Sequence, residues 1–238
     1  VVQLSGFIDA ALASLIGAGA VATLQYSQVL SLLPVSLFGM AISAAELPAM
    51  AGETGDAQRV AEAVRARLDA GLGRLAYFVI PSAAAFLTLG GVIADGIYRG
   101  GAFTSVQAHW VWIALAGASV GLLAGTMGRL YASACYAAGD TTTPFRAALL
   151  RVATSGGLGW IGALWVPRWL GVDARWGIFA LTASYGVAAW IEYAQLRQAV
   201  TRRVGATGVP VRRVLVLWGA ALLSGGVGAV VATAVGDL

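Results

Sequence analysis

Apolar residues run along this chain in long blocks, and short stretches between them hold most of its charge. The blocks fall at about 1–16, 20–49, 75–96, 107–137, 145–166, 176–196 and 214–235. Each is apolar on all sides. None reads as a barrel strand, which would alternate apolar and polar residues over roughly ten positions. At 1.5 Å per residue the longer blocks exceed a hydrocarbon core of ~30 Å. The pattern predicts about seven transmembrane helices in an all-α, polytopic membrane bundle.

One segment follows a different rule. Val60, Val64, Leu68 and Leu72 recur every four residues, with Arg59, Glu62, Arg65, Arg67 and Asp69 between them. This spacing predicts an amphipathic helix over about 56–72, lying at the membrane interface ahead of the third span. Such a helix could act as a gating or partner-binding arm, or as a linker resting among the headgroups.

Composition agrees with the pattern. Of the 238 residues 59% are hydrophobic and 11% charged, and mean hydropathy is +0.80. A soluble domain carries roughly 25% charged residues. All 15 basic side chains are arginine. A basic chain raises the question of nucleic acid, but here the arginines flank apolar spans, so membrane orientation accounts for them and no nucleic-acid partner is expected. Eleven lie with the loops after the second, fourth and sixth spans: Arg59, Arg65, Arg67, Arg74, Arg146, Arg151, Arg197, Arg202, Arg203, Arg212 and Arg213. Three lie on the other side: Arg99, Arg168 and Arg175. The arginine-rich side is expected in the cytoplasm, so the first span runs outward. The chain opens inside an apolar run without Met and is expected to be a piece of a longer protein.

Polar groups within the spans are the candidates for function, because an ionisable group at mid-helix costs roughly 2.5–3.5 kcal/mol on insertion scales and usually faces a cavity or a partner. Asp9 lies in the first span and could bind a cation, a proton or a substrate hydroxyl, or serve as a hydrogen-bonded structural residue. Arg129 lies about nine residues from the inner end of its span, ~13 Å deep. It could bind an anion from a cavity or pair with a group such as Asp9. Gln25, Gln28 and Ser31 recur at three-residue spacing on roughly one face of the second span, before Pro34, which can kink it. Glu46, two residues before Pro48, and Glu192, near a basic end, read as structural.

No enzymatic constellation is present, and no cofactor is expected. His109 and Cys135 each stand alone, so no metal site is expected. No glycine-rich phosphate loop follows a strand.

Three motifs then occur in order: "LLPVSLFGMAISAAELPAMA" at 32–51, "YRGGAFTSVQ" at 98–107 and "YAAGDTTTPFRAALL" at 136–150. In the last, Asp140 with Thr141 and Thr143 is placed to cap the helix that Pro144 starts. Together they resemble the MurJ/MviN family of lipid II flippases, within the multidrug/oligosaccharidyl-lipid/polysaccharide (MOP) exporter superfamily. The resemblance covers essentially the whole chain. It implies fourteen helices in two lobes, with this chain as spans seven to thirteen, the larger part of the second lobe. It also implies an undecaprenyl-pyrophosphate-linked substrate moved across the bacterial cytoplasmic (inner) membrane by alternating access. Membrane lipids and cell-wall synthesis proteins are the implied partners. Family cavities are lined by the first two helices of each lobe, here the spans with Asp9 and with Gln25, Gln28 and Ser31. Where the family commonly has a cavity arginine, this chain has Val29. Two alternatives stay open: another MOP transporter, such as a drug/cation antiporter or a polysaccharide-lipid exporter, and a non-transporting scaffold for cell-wall enzymes.

Overall fold

The computed structural model describes residues 2–101 and 103–236, so Ala102 of the second motif and the start of the first apolar block at Val1 lie outside the described residues. The elements are α1 (Val2–Ile16), α2 (Ala20–Pro34), a π-helical segment (Val35–Met40), α3 (Ala41–Ala51), α4 (Ala57–Tyr98), α5 (Ser105–Ala137), α6 (Thr142–Leu164), a short α7 (Val166–Leu170), a 3-10 turn (Ala174–Trp176), α8 (Gly177–Val204) and α9 (Val211–Gly236). The fold is all-α and that of a multi-pass membrane protein. Among the described residues, five helical runs are long and apolar enough to cross a membrane: Ala20–Ala51, Ala57–Tyr98, Ser105–Ala137, Thr142–Leu170 and Val211–Ala232. Ser5–Ile16 is a shorter apolar helix. α8 has the length, but Thr182, Ser184, Glu192 and Gln195 make it more polar. That polarity suits an inside position, since Thr182 and Ser184 are buried.

α5 is the central helix. Of its apolar window 72% is buried, against 11% for α9 at the edge. Missing side chains bring α8 close to it: a Cβ on Gly121 would collide with the backbone of Gly186. Lipid tails give helices no hydrophobic reason to associate, so close backbone approach of this kind supplies the packing. On another side Leu130 of α5 packs against Gly71 of α4, and Trp112 packs against Gly90 and donates to the Leu87 carbonyl at 3.0 Å.

The expected interfacial helix at 56–72 is not a separate element. α4 runs unbroken for 42 residues from its N-cap, where Asp56 accepts the Arg59 N–H at 2.8 Å. No proline interrupts 57–75, and helical hydrogen bonding continues into the span. Nor does its apolar face rest on lipid. Leu68 and Leu72 are fully buried in the main core, with Val64 packed against it.

Pro34 does not end its helix. Proline lacks the N–H that would bond back to Leu30, and its ring crowds that turn. The chain widens into the π segment directly after it and then resumes as α3. Ser27, Ser31 and Ser36 each donate to the carbonyl three residues back, at 2.8, 3.1 and 3.1 Å, around the irregular stretch. Pro34 itself is buried, whereas Pro48, inside α3, is exposed.

Alternate loops gather at the two ends. At the arginine-rich end Asp140 accepts from the Thr143 hydroxyl (2.6 Å), the Thr143 and Thr142 N–H groups (3.0 Å each) and the Thr142 hydroxyl (3.0 Å). Its other partner is Arg203 at the end of α8, at 2.6 Å. These bonds, the Thr143 hydroxyl first, hold the Asp140 carboxyl well below the usual carboxylate range. Thr141 makes no side-chain cap bond, and Pro144 is the third residue of α6 rather than its first. Nearby, the loop before α9 is clamped by Asp69, which accepts from Gly208 N–H at 2.9 Å, and by the Tyr131 and Thr207 hydroxyls at 3.0 Å. At the other end a Thr104–Gln107 capping box starts α5, and Tyr26, Tyr98 and Phe103 form an aromatic cluster.

Candidate functional site

The inner half of α5 shows a narrow open stripe. Along it Arg129 and Tyr136 are exposed, with Gly125 and Ala132 half-buried beside them. Their spacing of four, three and four keeps them on one face of a helix. On one flank Gly39 of the π segment packs on Thr126. On the other, Gly121 and Gly128 face Gly186 and Tyr193 of α8. The stripe is therefore the floor of a groove between the α2–α3 helix and α8. The widened turn after Pro34 forms part of one wall. Arg129 is eight residues from Ala137, or ~12 Å along the axis. Among the described residues it makes no salt bridge, to Asp9 or to any other carboxylate. A guanidinium in that position has its hydrogen-bond donors free for an anionic ligand.

α2 has two faces. Leu24, Ser27, Leu30 and Pro34 are buried toward the bundle, while Gln25, Gln28, Val29 and Leu32 are exposed. Steps of three residues fall 60° short of a full turn. The polar stripe therefore winds from Gln25 on the open back of the helix to Ser31, half-buried at the packed edge. Val29 lies one turn beyond Gln25 and is exposed, so the position of the family's arginine is present as an apolar side chain.

Asp9 is placed differently. It is 8% exposed and shares the packed face of α1 with Leu12, Ala13 and Ile16. That face lies on small residues of α6: Ile8 meets Gly156, and Leu12 meets Gly159. The charge acting on Asp9 comes from Arg151 of α6. Arg151 in turn donates to Glu192 of α8 at 2.6 Å, and its guanidinium carbon lies 4.3 Å from the Tyr185 ring centroid. Arg151, Glu192 and Tyr185 thus tie α6 to α8, and Asp9 of α1 lies near the same cation without a salt bridge to it among the described residues. Arg151 is the residue that sequence reasoning missed. Counted with the inner flank, it lies nine residues into α6, ~13 Å along it. That depth was the available signal. Removing it from the loop count leaves ten arginines against three.

Glu46 is 8% exposed in α3 and is reached by two arginines of α4, Arg74 at 3.2 Å and Arg67 at 3.9 Å. Arg67 also holds Glu53 at 2.6 Å. These pairs fasten α3 to α4. Among the described residues no group of three or more His, Cys, Asp or Glu is arranged to hold a metal ion.

The family model described as "Lipid II flippase MurJ" matches residues 1–235, nearly the entire chain. The chain belongs to the MurJ family. Among its curated relatives is the probable lipid II flippase MurJ of Haemophilus influenzae, 27% identical over 159 residues, which are 65% of this chain and 31% of that protein. The corresponding Vibrio cholerae protein is 27% identical over 153 residues, 64% of this chain and 29% of that protein. The fold is similar to that of a lipid II flippase MurJ solved in an inward closed conformation, with TM-score 0.77 and 22% identity, covering 94% of this chain and 44% of the other. The chain therefore spans about a third of the length of the curated MurJ relatives it matches. MurJ proteins are named as flippases, which are transporters and not catalysts, in line with the expected non-enzyme.

Proposed function

We propose that this chain is most of the second lobe of a lipid II flippase that works by alternating access in the bacterial cytoplasmic membrane. The family match over 1–235 carries this reading. A lipid-linked pyrophosphate cannot cross hydrocarbon unaided, so its carrier needs a polar, cation-bearing recess that opens to one side at a time. In this lobe Arg129 is the cation of the recess, receiving a phosphate oxygen of the undecaprenyl-pyrophosphate-linked substrate. Gln25, Gln28 and Ser31 supply uncharged hydrogen-bonding groups suited to sugar and peptide. Val29 adds no charge, so the remaining cations come from the other lobe. Asp9 acts through Arg151 as a positioning residue that holds α1 against α6 and α8. Pro34 with its π segment shapes the wall beside Arg129. Glu46, Asp140, Thr143 and Pro144 keep the inner ends of the helices in register, with Thr141 and Pro48 as exposed parts of the same motifs. Cell-wall synthesis proteins are partners of the intact protein through the inner loops.

The test is replacement in living cells. The intact protein should restore growth to bacteria depleted of their own lipid II flippase. Robust membrane expression without rescue would overturn the reading.

A further inference from the structure

At the arginine-rich end, α4 and α9 part around a cleft of about 380 Å³, whose walls include Asp69, Gly73, Arg74, Tyr77, Arg213 and Leu217. Both helices enter the bundle from this end, so their residues form two tiers. Arg74 and Arg213 stand at the mouth. One turn deeper are Tyr77, 62% exposed, on α4 and Leu217 on α9. Gly73 has no side chain to fill the space, and the Arg213 guanidinium reaches across to it, with Nη1 3.5 Å from where a Cβ would be. Arg213 has no carboxylate partner among the described residues. Arg74 touches Glu46, yet its side chain is 60% exposed and keeps donors free. The single acid in the wall, Asp69, is engaged by the Gly208 N–H.

Two cations above an aromatic and an aliphatic wall match an amphiphile with an anionic head and an apolar tail. Tyrosine favours the headgroup level of a bilayer, and arginine pairs with phosphate through its planar fork. We propose that this cleft binds an anionic phospholipid of the inner leaflet, its phosphate between Arg74 and Arg213 and an acyl chain along Tyr77 and Leu217. The site is separate from the groove of Arg129 and requires nothing about the transported substrate.

The experiment places the full-length protein in phosphatidylcholine vesicles doped with a photoreactive phosphatidylglycerol. Crosslinks should map to peptides containing 74–78 and 213–217. Excess unlabelled phosphatidylglycerol should compete, and millimolar inorganic phosphate should not. Arg213→Gln should lower labelling roughly fivefold, near the effect of one basic residue at a membrane surface. Arg213→Lys should retain at least half of it. Arg59→Gln, at an exposed position outside the cleft, should leave it unchanged. Four outcomes would each overturn the proposal. They are labelling elsewhere but not in these peptides, equal labelling by photoreactive phosphatidylcholine, displacement by inorganic phosphate, and equal losses in Arg59→Gln and Arg213→Gln.

Discussion

Arg129 and Arg151 lie at similar depths in apolar helices, about 12 and 13 Å from the same end, yet they are used in opposite ways. Arg151 is enclosed. It holds Glu192 at 2.6 Å and stacks on Tyr185, so one guanidinium joins α6 to α8, with Asp9 of α1 nearby. Arg129 is exposed on the groove floor and has no carboxylate partner among the described residues. A charge in low dielectric is tolerated when a partner meets it or when a cavity wets it. The first arrangement binds the protein to itself, and the second leaves binding capacity for something else.

Removing Arg151 tests that difference most severely. Arg151→Ala leaves Glu192, whose side chain is 14% exposed, without its cation; a fully buried pair broken in this way loses about 3–5 kcal/mol, and this partly buried one should lose about half of that. Thermal melting of the purified protein should fall sharply. The double variant Arg151→Met with Glu192→Leu should recover most of the loss, because no charge is then stranded. A double variant as unstable as the single one would assign the effect to shape and not to charge.

The two faces of α5 can be set against each other with one side chain. Gly121→Val drives a branched group into the α8 backbone, and overpacking of this kind costs typically 1–3 kcal/mol. Gly125→Val meets nothing within 4 Å. It should leave melting within about 0.5 kcal/mol of the parent while narrowing the groove and slowing transport. Equal destabilisation by both would mean that the stripe is packed and not open.

Arg129→Gln should change melting little and lower flipping in reconstituted vesicles about tenfold, the equivalent of ~1.4 kcal/mol in a rate. Unchanged flipping would remove Arg129 from the substrate path.

The smallest effect concerns Asp140, far from both arginines. Its carboxyl is held below the unfolded value of about 3.9. The stability it contributes is thus fully present above that value and is lost only as pH falls through the lower folded one. The difference in melting between the parent and Asp140→Asn should therefore stay constant from about pH 5 to pH 8. A difference that changed across that range would show that another titrating group sets it.

Some features were legible from residue order alone. The apolar blocks, the alternation of arginine-rich and arginine-poor loops and the "GDTTTP" turn are local patterns, and the structure forms helices and a capped turn there. The polar faces were harder. Gln25 and Gln28 are exposed, whereas Asp9, a candidate on the same grounds, lies on a packed face. An apolar span carries little periodicity to mark its inner side, since lipid and protein accept the same side chains. Arg151 reads as a flank residue when charge is counted along the chain, because its partner Glu192 is 41 residues away.

By itself, the sequence determined that this protein is a helical membrane bundle, that arginine-rich and arginine-poor loops alternate along it, and which family it resembles. Those follow from hydropathy, charge bias and short motifs, which are local. Only the tertiary structure decided which intramembrane charges are consumed in holding helices together and which remain open. It also decided that the amphipathic segment of α4 packs into the core. Pairing and burial are relations between distant residues, and they exist only once the helices have packed.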